Sequence, residues 1–253
     1  MKLAHKIYGE GKPLVIVHGL FGFSDNWVTH AKKFGEYFQV IVCDMRNHGY
    51  SPWSDEFSYQ LMVDDLVELL DDLGIEKCSL IGHSMGGKVA MHFAQQYENR
   101  LEKLIVVDMG VKEYPMHHQH ILAAFEAIDL SQMSARSEAE RILATFIDSD
   151  GVRQFLLKNL YWKEKGKLAW RVNFPVLSAA MTEILGALPE GEVFTPTLFI
   201  RGALSNYIVE SDYETLETYF PDIQVLTIEN AGHWVHAESP DDFFNGALEF
   251  LIR

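Results

Sequence analysis

One hexapeptide, GHSMGG at residues 82–87, constrains the fold of this chain more than any other segment. It follows a short apolar run at residues 78–81 and precedes a helix-like stretch at residues 88–97. A strand that turns this tightly into a helix brings backbone segments close together, so glycine, which lacks a Cβ, is needed on both sides of the serine. The pattern predicts a sharp turn that lifts the hydroxyl of Ser84 clear of the sheet edge, and it makes Ser84 a candidate nucleophile.

Short apolar runs alternate with amphipathic helical patterns along most of the chain. Apolar runs of this kind are typical of parallel strands that are covered on both faces. We therefore expect an α/β architecture, a mostly parallel doubly wound sheet with helices on both faces and an antiparallel edge strand at residues 3–8. The predicted parallel strands are residues 14–17, 40–43, 78–81, 104–107, 197–200 and 224–228.

The last helix is predicted from the signals at its start. Ser239 is a suitable N-cap residue, and Pro240 is favoured at the first helical position. Acidic residues in the first turn favour the same start, because they interact with the positive end of the helix dipole. Helical spacing places Phe244, Leu248 and Leu251 on the buried face.

Residues 112–190 interrupt the alternation. They contain no convincing strand and many aromatic residues, and a segment of about 80 residues is too long for an ordinary loop. We expect helices that form a cap, here called the cap segment, over the carboxyl edge of the sheet, where ligands bind in such folds. Extra core packing is the alternative. The expected division is a core of residues 1–111 and 191–253 and a cap of residues 112–190.

His233 is the candidate base. A serine hydroxyl becomes an effective nucleophile only beside a base, which an acid must hold in the right tautomer. His233 follows the last predicted strand and precedes the last helix, so it returns to the sheet edge that carries Ser84. The chain order of serine, acid and histidine is known for serine nucleophiles on such a turn. His236 is interpreted as a structural neighbour.

Backbone N–H groups are expected to stabilise the developing oxyanion. Met85, directly after the candidate nucleophile, offers one N–H group at the start of a helix. The second is expected from the loop after the first parallel strand, HGLFG at residues 18–22. Leu20 is the first choice in this loop and Phe21 the second.

The acid is predicted at an unusual position. In the commonest arrangement it follows the penultimate strand, but the tetrapeptide GALS after that strand places Ser205 there. Asp108 ends the strand at residues 104–107 and can reach the base from the same sheet edge. We therefore predict Asp108 as the acid and Ser205 as a candidate auxiliary hydrogen-bond partner of the base. The rival acid is Asp44, whose alternative role is to hold the loop at residues 45–49 in place.

Composition restricts the partners. The net charge of −15 argues against nucleic acid and against an anionic membrane, and no apolar run approaches the ~18 residues of a membrane span. The first residues lack the apolar core of a signal peptide. Cys43 and Cys78 lie near predicted strands and are expected to be buried thiols, so the cytoplasm is the expected compartment. The sequence carries no signal for the oligomeric state.

Two smaller groups of residues have competing interpretations. His117, His118 and His120 lack the partner pattern of a metal site, so we expect a solvated or packing role for them in place of a bound metal. A local basic cluster is explained either as a solvated turn or as a site for an anionic group such as the phosphates of an acyl-CoA. This basic cluster consists of Lys158, Lys163, Lys165, Lys167 and Arg171.

The chain resembles the YbfF-like esterases of the α/β-hydrolase superfamily. The resemblance is carried by residues 18–22, 44–51, 82–87 and 231–238, and DMRNHGYS at 44–51 is the discriminating segment, because most α/β-hydrolases carry Arg-Gly there. It runs from the first strand to the last helix and is weakest in the cap segment. It implies the α/β-hydrolase fold with a helical cap inserted after the strand counted sixth in that fold. It also implies an acid after that strand and a serine at the usual acid position.

Together these features predict a serine carboxylesterase that needs no cofactor. The expected substrates are small-molecule esters, or thioesters such as acyl-CoA, with short to medium acyl chains. Carbon–carbon bond hydrolases and perhydrolases use the same residue types and remain alternatives. A small-ligand receptor with slow turnover is the alternative from another class. Dehalogenases and epoxide hydrolases are excluded, because they need aspartate at position 84.

Overall fold

The computed structural model describes residues 1–116 and 118–253, and the predicted strands of the sheet are present in it. Its strands are β1 (His5–Tyr8), β2 (Pro13–Val17), β3 (Gln39–Cys43), β4 (Cys78–His83), β5 (Leu101–Val107), β6 (Leu160–Glu164), β7 (Lys167–Trp170), β8 (Thr197–Gly202) and β9 (Ile223–Ile228). The main sheet has the order β1-β3-β2-β4-β5-β8-β9. Only the β1–β3 pair of this sheet, among the described residues, is antiparallel. The predicted mostly parallel α/β sheet is confirmed.

Helices cover both faces of this sheet. The described helices are α1 (Val28–Phe34), α2 (Tyr59–Asp72), α3 (Met85–Tyr97), α4 (Gln119–Glu126), α5 (Arg136–Leu143), α6 (Asp150–Leu157), α7 (Phe174–Ala179), α8 (Met181–Leu185), α9 (Tyr213–Tyr219), α10 (Val235–Glu238) and α11 (Pro240–Ile252). Helices α1 and α11 pack on one face, and α2, α3 and α9 pack on the other. The sheet is therefore doubly wound, as predicted.

Successive residues of the central strands enter opposite cores. In β2, Val15 and Val17 belong to the core beneath α2 and α3, whereas Leu14 and Ile16 belong to the core beneath α1 and α11. All four side chains are fully buried. This is why these strands are apolar without alternation, since both faces of the sheet are covered.

The cap segment leaves the sheet after β5 and returns at β8, and these two strands are neighbours in the sheet. It contains helices α4 to α8, and also an antiparallel hairpin of β6 and β7 in which Leu160 pairs with Trp170. The expectation that residues 112–190 contain no strand is therefore wrong. The turn of the hairpin includes Gly166 with φ +80°, a conformation that glycine adopts freely. Charged residues on the exposed face of the hairpin hid the strand pattern.

Helix α11 begins at Pro240, as predicted, but its buried face differs from the prediction. Phe243 is fully buried, whereas the predicted Phe244 and Leu248 are only half-buried. The helix is rotated so that Phe244 packs at the margin of the core, with its ring centroid 4.7 Å from that of Phe34. Leu251 is buried, as predicted.

Several expectations concern isolated groups. Cys43 and Cys78 are buried free thiols, as predicted. In residues 1–116 and 118–253, no helix has the length and apolar character needed to cross a membrane. No cluster of His, Cys, Asp or Glu side chains in this described part is arranged to hold a metal ion. His117, one of the three neighbouring histidines, lies outside the described residues.

Candidate active site

The turn between β4 and α3 presents Ser84. Ser84 has φ 54°, in a region that residues other than glycine seldom adopt, and α3 begins at the next residue. A Cβ at Gly82 would lie 2.2 Å from the carbonyl oxygen of Gly86, and a Cβ at Gly86 would lie 2.4 Å from that of Val17. Both glycines are therefore required by close backbone approach. The amide of Ser84 is fixed by a 3.0 Å hydrogen bond to the carbonyl of Val107 in the neighbouring strand β5.

His233 connects Ser84 to Asp108. Its Nε2 atom lies 2.9 Å from Oγ of Ser84, and its Nδ1 atom lies 2.8 Å from Oδ2 of Asp108. An ionised carboxylate can only accept hydrogen bonds, so Nδ1 carries the proton and Nε2 accepts the hydroxyl hydrogen of Ser84. The structure thus brings the three predicted catalytic residues into one hydrogen-bonded chain.

Asp108 is fully buried and follows the end of β5. Its φ of 47° lies in a region that aspartate tolerates better than most residues. Oδ1 accepts a 3.2 Å hydrogen bond from the amide of Gly202, and Oδ2 accepts the hydroxyl of Ser205 as well as the imidazole. Ser205 therefore contacts Asp108, whereas the sequence suggested His233 as its partner.

Asp44, the rival acid, has another role. Its carboxylate accepts a 2.6 Å hydrogen bond from the amide of Ser24 and a 2.8 Å hydrogen bond from the amide of Tyr50. Both oxygens are thus occupied by loop backbone. Asp44 holds the loop that follows β3, which is the alternative that the sequence left open for it.

The loop after β2 forms a tight turn next to Ser84. The amide of Gly22 donates a 2.9 Å hydrogen bond to the carbonyl of Gly19, which also accepts a 2.8 Å hydrogen bond from Nδ1 of His18. Nε2 of His18 accepts the amide of Met45 at 3.0 Å, which fixes the tautomer of the ring. Burial lowers the pKa of His18, so the neutral form persists.

These contacts orient one candidate oxyanion donor. In a trans peptide the C=O and N–H groups point in opposite directions, so the carbonyl of Gly19 directs the N–H of Leu20 away from His18. A Cβ at Gly19 would lie 3.1 Å from Cβ of Ser84, which shows how close this peptide is to the nucleophile. Within the described residues, the N–H groups of Leu20, Phe21 and Met85 make no hydrogen bond. They are free to bind an anion.

Two further contacts, neither of them predicted from the sequence, hold His233 in place. Nε2 of His83 donates a 2.9 Å hydrogen bond to the backbone carbonyl of His233. Burial and the neighbouring His233 lower the pKa of His83 to about 3, so the ring is neutral at ordinary pH. The ring of Tyr207 stacks on the imidazole of His233 with centroids 3.9 Å apart. The position of His83 next to the candidate nucleophile could have indicated its role, whereas no sequence pattern near Tyr207 indicates that it contacts His233.

Ser84 and His233 line a cavity between the sheet edge and the cap segment. A mostly apolar lining with a few polar groups is typical of small-molecule sites. The apolar lining residues are Leu20, Phe21, Trp27 and Trp234 from the core and Ile121, Val152, Phe155 and Leu156 from the cap segment. His236 also lines the cavity, and its ring stacks on Trp27 with centroids 4.2 Å apart, in line with a structural role.

The basic cluster is partly engaged in packing. The guanidinium of Arg171 lies 4.2 Å from the ring centroid of Tyr50 and equally far from that of Tyr161. Lys167 forms a 3.0 Å ion pair with Glu164 across the hairpin turn. Arg171 therefore holds the hairpin against the core loop that contains Tyr50.

Comparisons with known proteins agree with this geometry. A sequence profile described as the alpha/beta hydrolase fold matches residues 12–137. The sn-1-specific diacylglycerol lipase ABHD11 of Danio rerio is 40% identical over 253 residues, covering 96% of this chain and 79% of the relative. Esterase YbfF of Escherichia coli is 38% identical over 245 residues, covering 96% of this chain and 94% of the relative. A solved structure, a marine microorganism esterase, has a TM-score of 0.96 and 40% identity, covering 98% of this chain and 99% of that chain.

Proposed function

The chain belongs to the α/β-hydrolase family, as one of its YbfF-like esterases, and we propose that it cleaves short- to medium-chain acyl esters through an acyl-enzyme on Ser84. Carboxylic ester hydrolysis is the activity that its relatives' names share. The observation that carries the finer proposal is the hydrogen-bonded chain from Ser84 through His233 to Asp108 beside an apolar cavity.

In the acylation step, Nε2 of His233 takes the hydroxyl proton while Oγ of Ser84 bonds to the carbonyl carbon of the ester. The carbonyl π electrons move to oxygen, and the N–H groups of Leu20 and Met85 stabilise the oxyanion, with Phe21 as the second choice for Leu20. Asp108 stabilises the imidazolium through Nδ1. When the intermediate collapses, the carbon–oxygen bond to the alcohol breaks, and the alcohol leaves with the proton from Nε2.

In the deacylation step, water replaces the alcohol. Nε2 of His233 removes a proton from the water while the water oxygen attacks the acyl carbon. The second tetrahedral intermediate uses the same oxyanion donors. Its collapse breaks the bond to Oγ of Ser84 and returns the proton to the serine, so the acid product leaves and the enzyme is regenerated.

The cap segment supports an acyl pocket of limited length. We infer that the core consists of residues 1–111 and 191–253 and that residues 112–190 cover it, since this segment supplies Phe155 and Leu156 to the cavity wall. Burial of each methylene contributes about 0.8 kcal/mol, so kcat/KM rises with acyl length until the wall is reached. The wall that Phe155 and Leu156 supply supports a preference for short to medium chains.

Acyl thioesters such as acyl-CoA are the second candidate substrate. The observation that favours them is the basic cluster, of which Lys163 and Lys165 are exposed on the β6–β7 hairpin. The protein as a whole carries a net charge of −15, so these exposed lysines form a local positive site that can attract the negatively charged phosphates of CoA.

The test is a series of p-nitrophenyl esters from acetyl to dodecanoyl. We expect kcat/KM to peak between butanoyl and octanoyl, and Ser84→Ala to abolish turnover. No hydrolysis by the wild-type enzyme would contradict the proposal and leave the receptor, carbon–carbon hydrolase or perhydrolase alternatives. Full activity of Ser84→Ala would contradict the acyl-enzyme on Ser84.

A second comparison separates thioesters from esters. The double variant Lys163→Gln/Lys165→Gln is assayed on butanoyl-CoA and on butanoyl-pantetheine, which lacks the nucleotide phosphates. If the basic cluster binds CoA, the double variant loses the preference for butanoyl-CoA and keeps its ester activity. An unchanged ratio between the two thioesters would exclude that role.

A further inference from the structure

We propose that Asn159 of the cap segment is a positioning residue for the oxyanion hole. The inference rests on the proposed function, because it concerns the loop that supplies the N–H group of Leu20. It states that docking of the cap segment and alignment of the oxyanion loop are linked through one buried side chain.

Asn159 joins the base of the hairpin to the oxyanion loop. Its side chain is fully buried, and Nδ2 donates a 2.7 Å hydrogen bond to the carbonyl of Phe21. Its own backbone carbonyl accepts a 2.8 Å hydrogen bond from the amide of Arg171 at the other end of the hairpin. The position of Asn159 is therefore set by the cap segment, and its amide reaches the core.

The bond fixes a peptide group in a turn that is otherwise disfavoured. Phe21 has φ 59°, a conformation that a bulky residue keeps only where its surroundings enforce it. Both polar groups of the peptide between Phe21 and Gly22 make hydrogen bonds. The N–H group of Gly22 donates to the carbonyl of Gly19, and the carbonyl of Phe21 accepts from Asn159. The same turn carries the N–H group of Leu20, so rotation of this peptide would move the oxyanion donor.

The cap segment also contacts the side chain of Phe21. Its ring lies 5.3 Å from that of Phe125 in α4, centroid to centroid, and Phe125 stacks on Phe174 with centroids 4.8 Å apart. The cap segment thus contacts both the backbone and the ring of Phe21. Without the Asn159 bond, the ring contact and the hydrogen bond from Gly22 to Gly19 would have to maintain the positive φ.

A second buried asparagine provides a matched control. Nδ2 of Asn173 donates a 3.0 Å hydrogen bond to Oδ1 of Asn47, in the loop that follows β3. Asn173 is buried and lies in the cap segment, like Asn159. It docks the cap segment with the same chemistry, but on a loop that supplies no oxyanion donor.

The kinetic parameter that changes identifies the role of Asn159. An oxyanion donor acts on charge that develops only in the transition state, so its misplacement lowers kcat more than it changes KM. Removal of a donor lowers kcat by about 100- to 1000-fold, and a displaced donor is expected to lower it by roughly 10- to 100-fold. A purely structural contact would lower the melting temperature without this selective loss.

The experiment compares Asn159→Leu and Asn159→Asp with Asn173→Leu in the full-length enzyme. We measure kcat and KM for a p-nitrophenyl ester, the melting temperature, and the affinity for an alkyl boronic acid, whose tetrahedral adduct with serine places an oxygen in the oxyanion hole. Both Asn159 variants should lose roughly 10- to 100-fold in kcat and in boronic acid affinity, with KM within about threefold. Asn173→Leu should lower the melting temperature while both kcat and boronic acid affinity stay within about threefold of wild type.

Equal kcat and equal boronic acid affinity in the Asn159 and Asn173 variants would overturn the inference. Asn159→Asp keeps the size of the side chain, so it decides the question if Asn159→Leu does not fold. A wild-type enzyme that hydrolyses no ester would contradict the proposed function. Boronic acid binding needs no turnover, so it would still distinguish the two asparagines in that case.

Discussion

Ser205 donates its hydroxyl hydrogen to Oδ2 of Asp108, the same oxygen that accepts the Nδ1–H group of His233. Ser205 follows β8, where the acid stands in the commonest arrangement of the fold, and Asp108 follows β5. The two strands are neighbours and parallel, so their carboxyl ends meet at one edge of the sheet. An acid from either strand can therefore reach the same histidine, and here the serine supports the acid.

Ser205→Ala should reduce activity moderately. The carboxylate of Asp108 loses one hydrogen bond but keeps the amide of Gly202 and the imidazole of His233. One hydrogen bond to a charged group contributes about 1.5 kcal/mol, so we expect kcat to fall roughly tenfold with KM unchanged. Steady-state kinetics checks this, with the exposed Ser131→Ala as control. A loss as large as that of Asp108→Asn would show that Ser205 does more than support the acid.

Lys88→Met should loosen both ends of the cap segment. Lys88 is fully buried in α3, where burial lowers its pKa to about 7. Its Nζ donates to the carbonyls of Val111 and Lys112, where the segment begins, and of Gly186 near its end. Loss of these bonds should lower the free energy of unfolding by roughly 2 kcal/mol and speed limited proteolysis within residues 112–190.

Lys103→Met is the control for this prediction. Nζ of Lys103 also donates to backbone carbonyls, but to those of Phe250 and Leu251 in α11, outside the cap segment. Lys103→Met should be less stable without faster cleavage of residues 112–190. The same proteolysis pattern in both variants would contradict the role given to Lys88.

Stability should fall in mild acid because of buried neutral histidines such as His48. Burial, and to a lesser extent His18, lowers the pKa of His48 to about 3. In the unfolded chain the pKa of a histidine is about 6.5, so below that pH the unfolded state binds a proton that the folded state excludes. The free energy of unfolding should therefore decrease as the pH falls from about 6.5 toward 3.

His48→Gln isolates this contribution. Nδ1 of His48 donates a 2.9 Å hydrogen bond to the carbonyl of Arg46, which the glutamine amide can replace. The drop in unfolding free energy between pH 7 and pH 5, measured with urea, should shrink by about 2 kcal/mol. His120→Gln, on the surface, should leave the drop unchanged. An unchanged drop in His48→Gln would mean that this ring does not set the acid sensitivity.

The features of the site that depend on local sequence patterns and strand order could be predicted from the sequence. Ser84, Asp108 and His233 each follow a strand of the parallel sheet, and parallel strands end at a common edge, so their meeting could be inferred. The glycine requirement at Gly82 and Gly86 followed from the same turn. Neither inference needs knowledge of side-chain packing.

Contacts formed between distant segments were not predictable in this way. The partner of Ser205 depends on the rotation of the loop after β8, and the stacking of Tyr207 on His233 has no periodic signal. Asn159 meets Phe21 only because the β6–β7 hairpin folds back on the core. The rotation of α11, which buries Phe243 in place of Phe244, is likewise set by packing.

The most direct test of the catalytic account is kcat for Asp108→Asn. Asparagine keeps the size of the side chain but removes the charge that holds the imidazole tautomer, and in a serine triad this change lowers kcat about 10,000-fold. We expect a loss of that order in Asp108→Asn, and a much smaller loss in Asp44→Asn at equal folded fraction. Near wild-type kcat for Asp108→Asn, together with a severe loss in Asp44→Asn, would contradict the account.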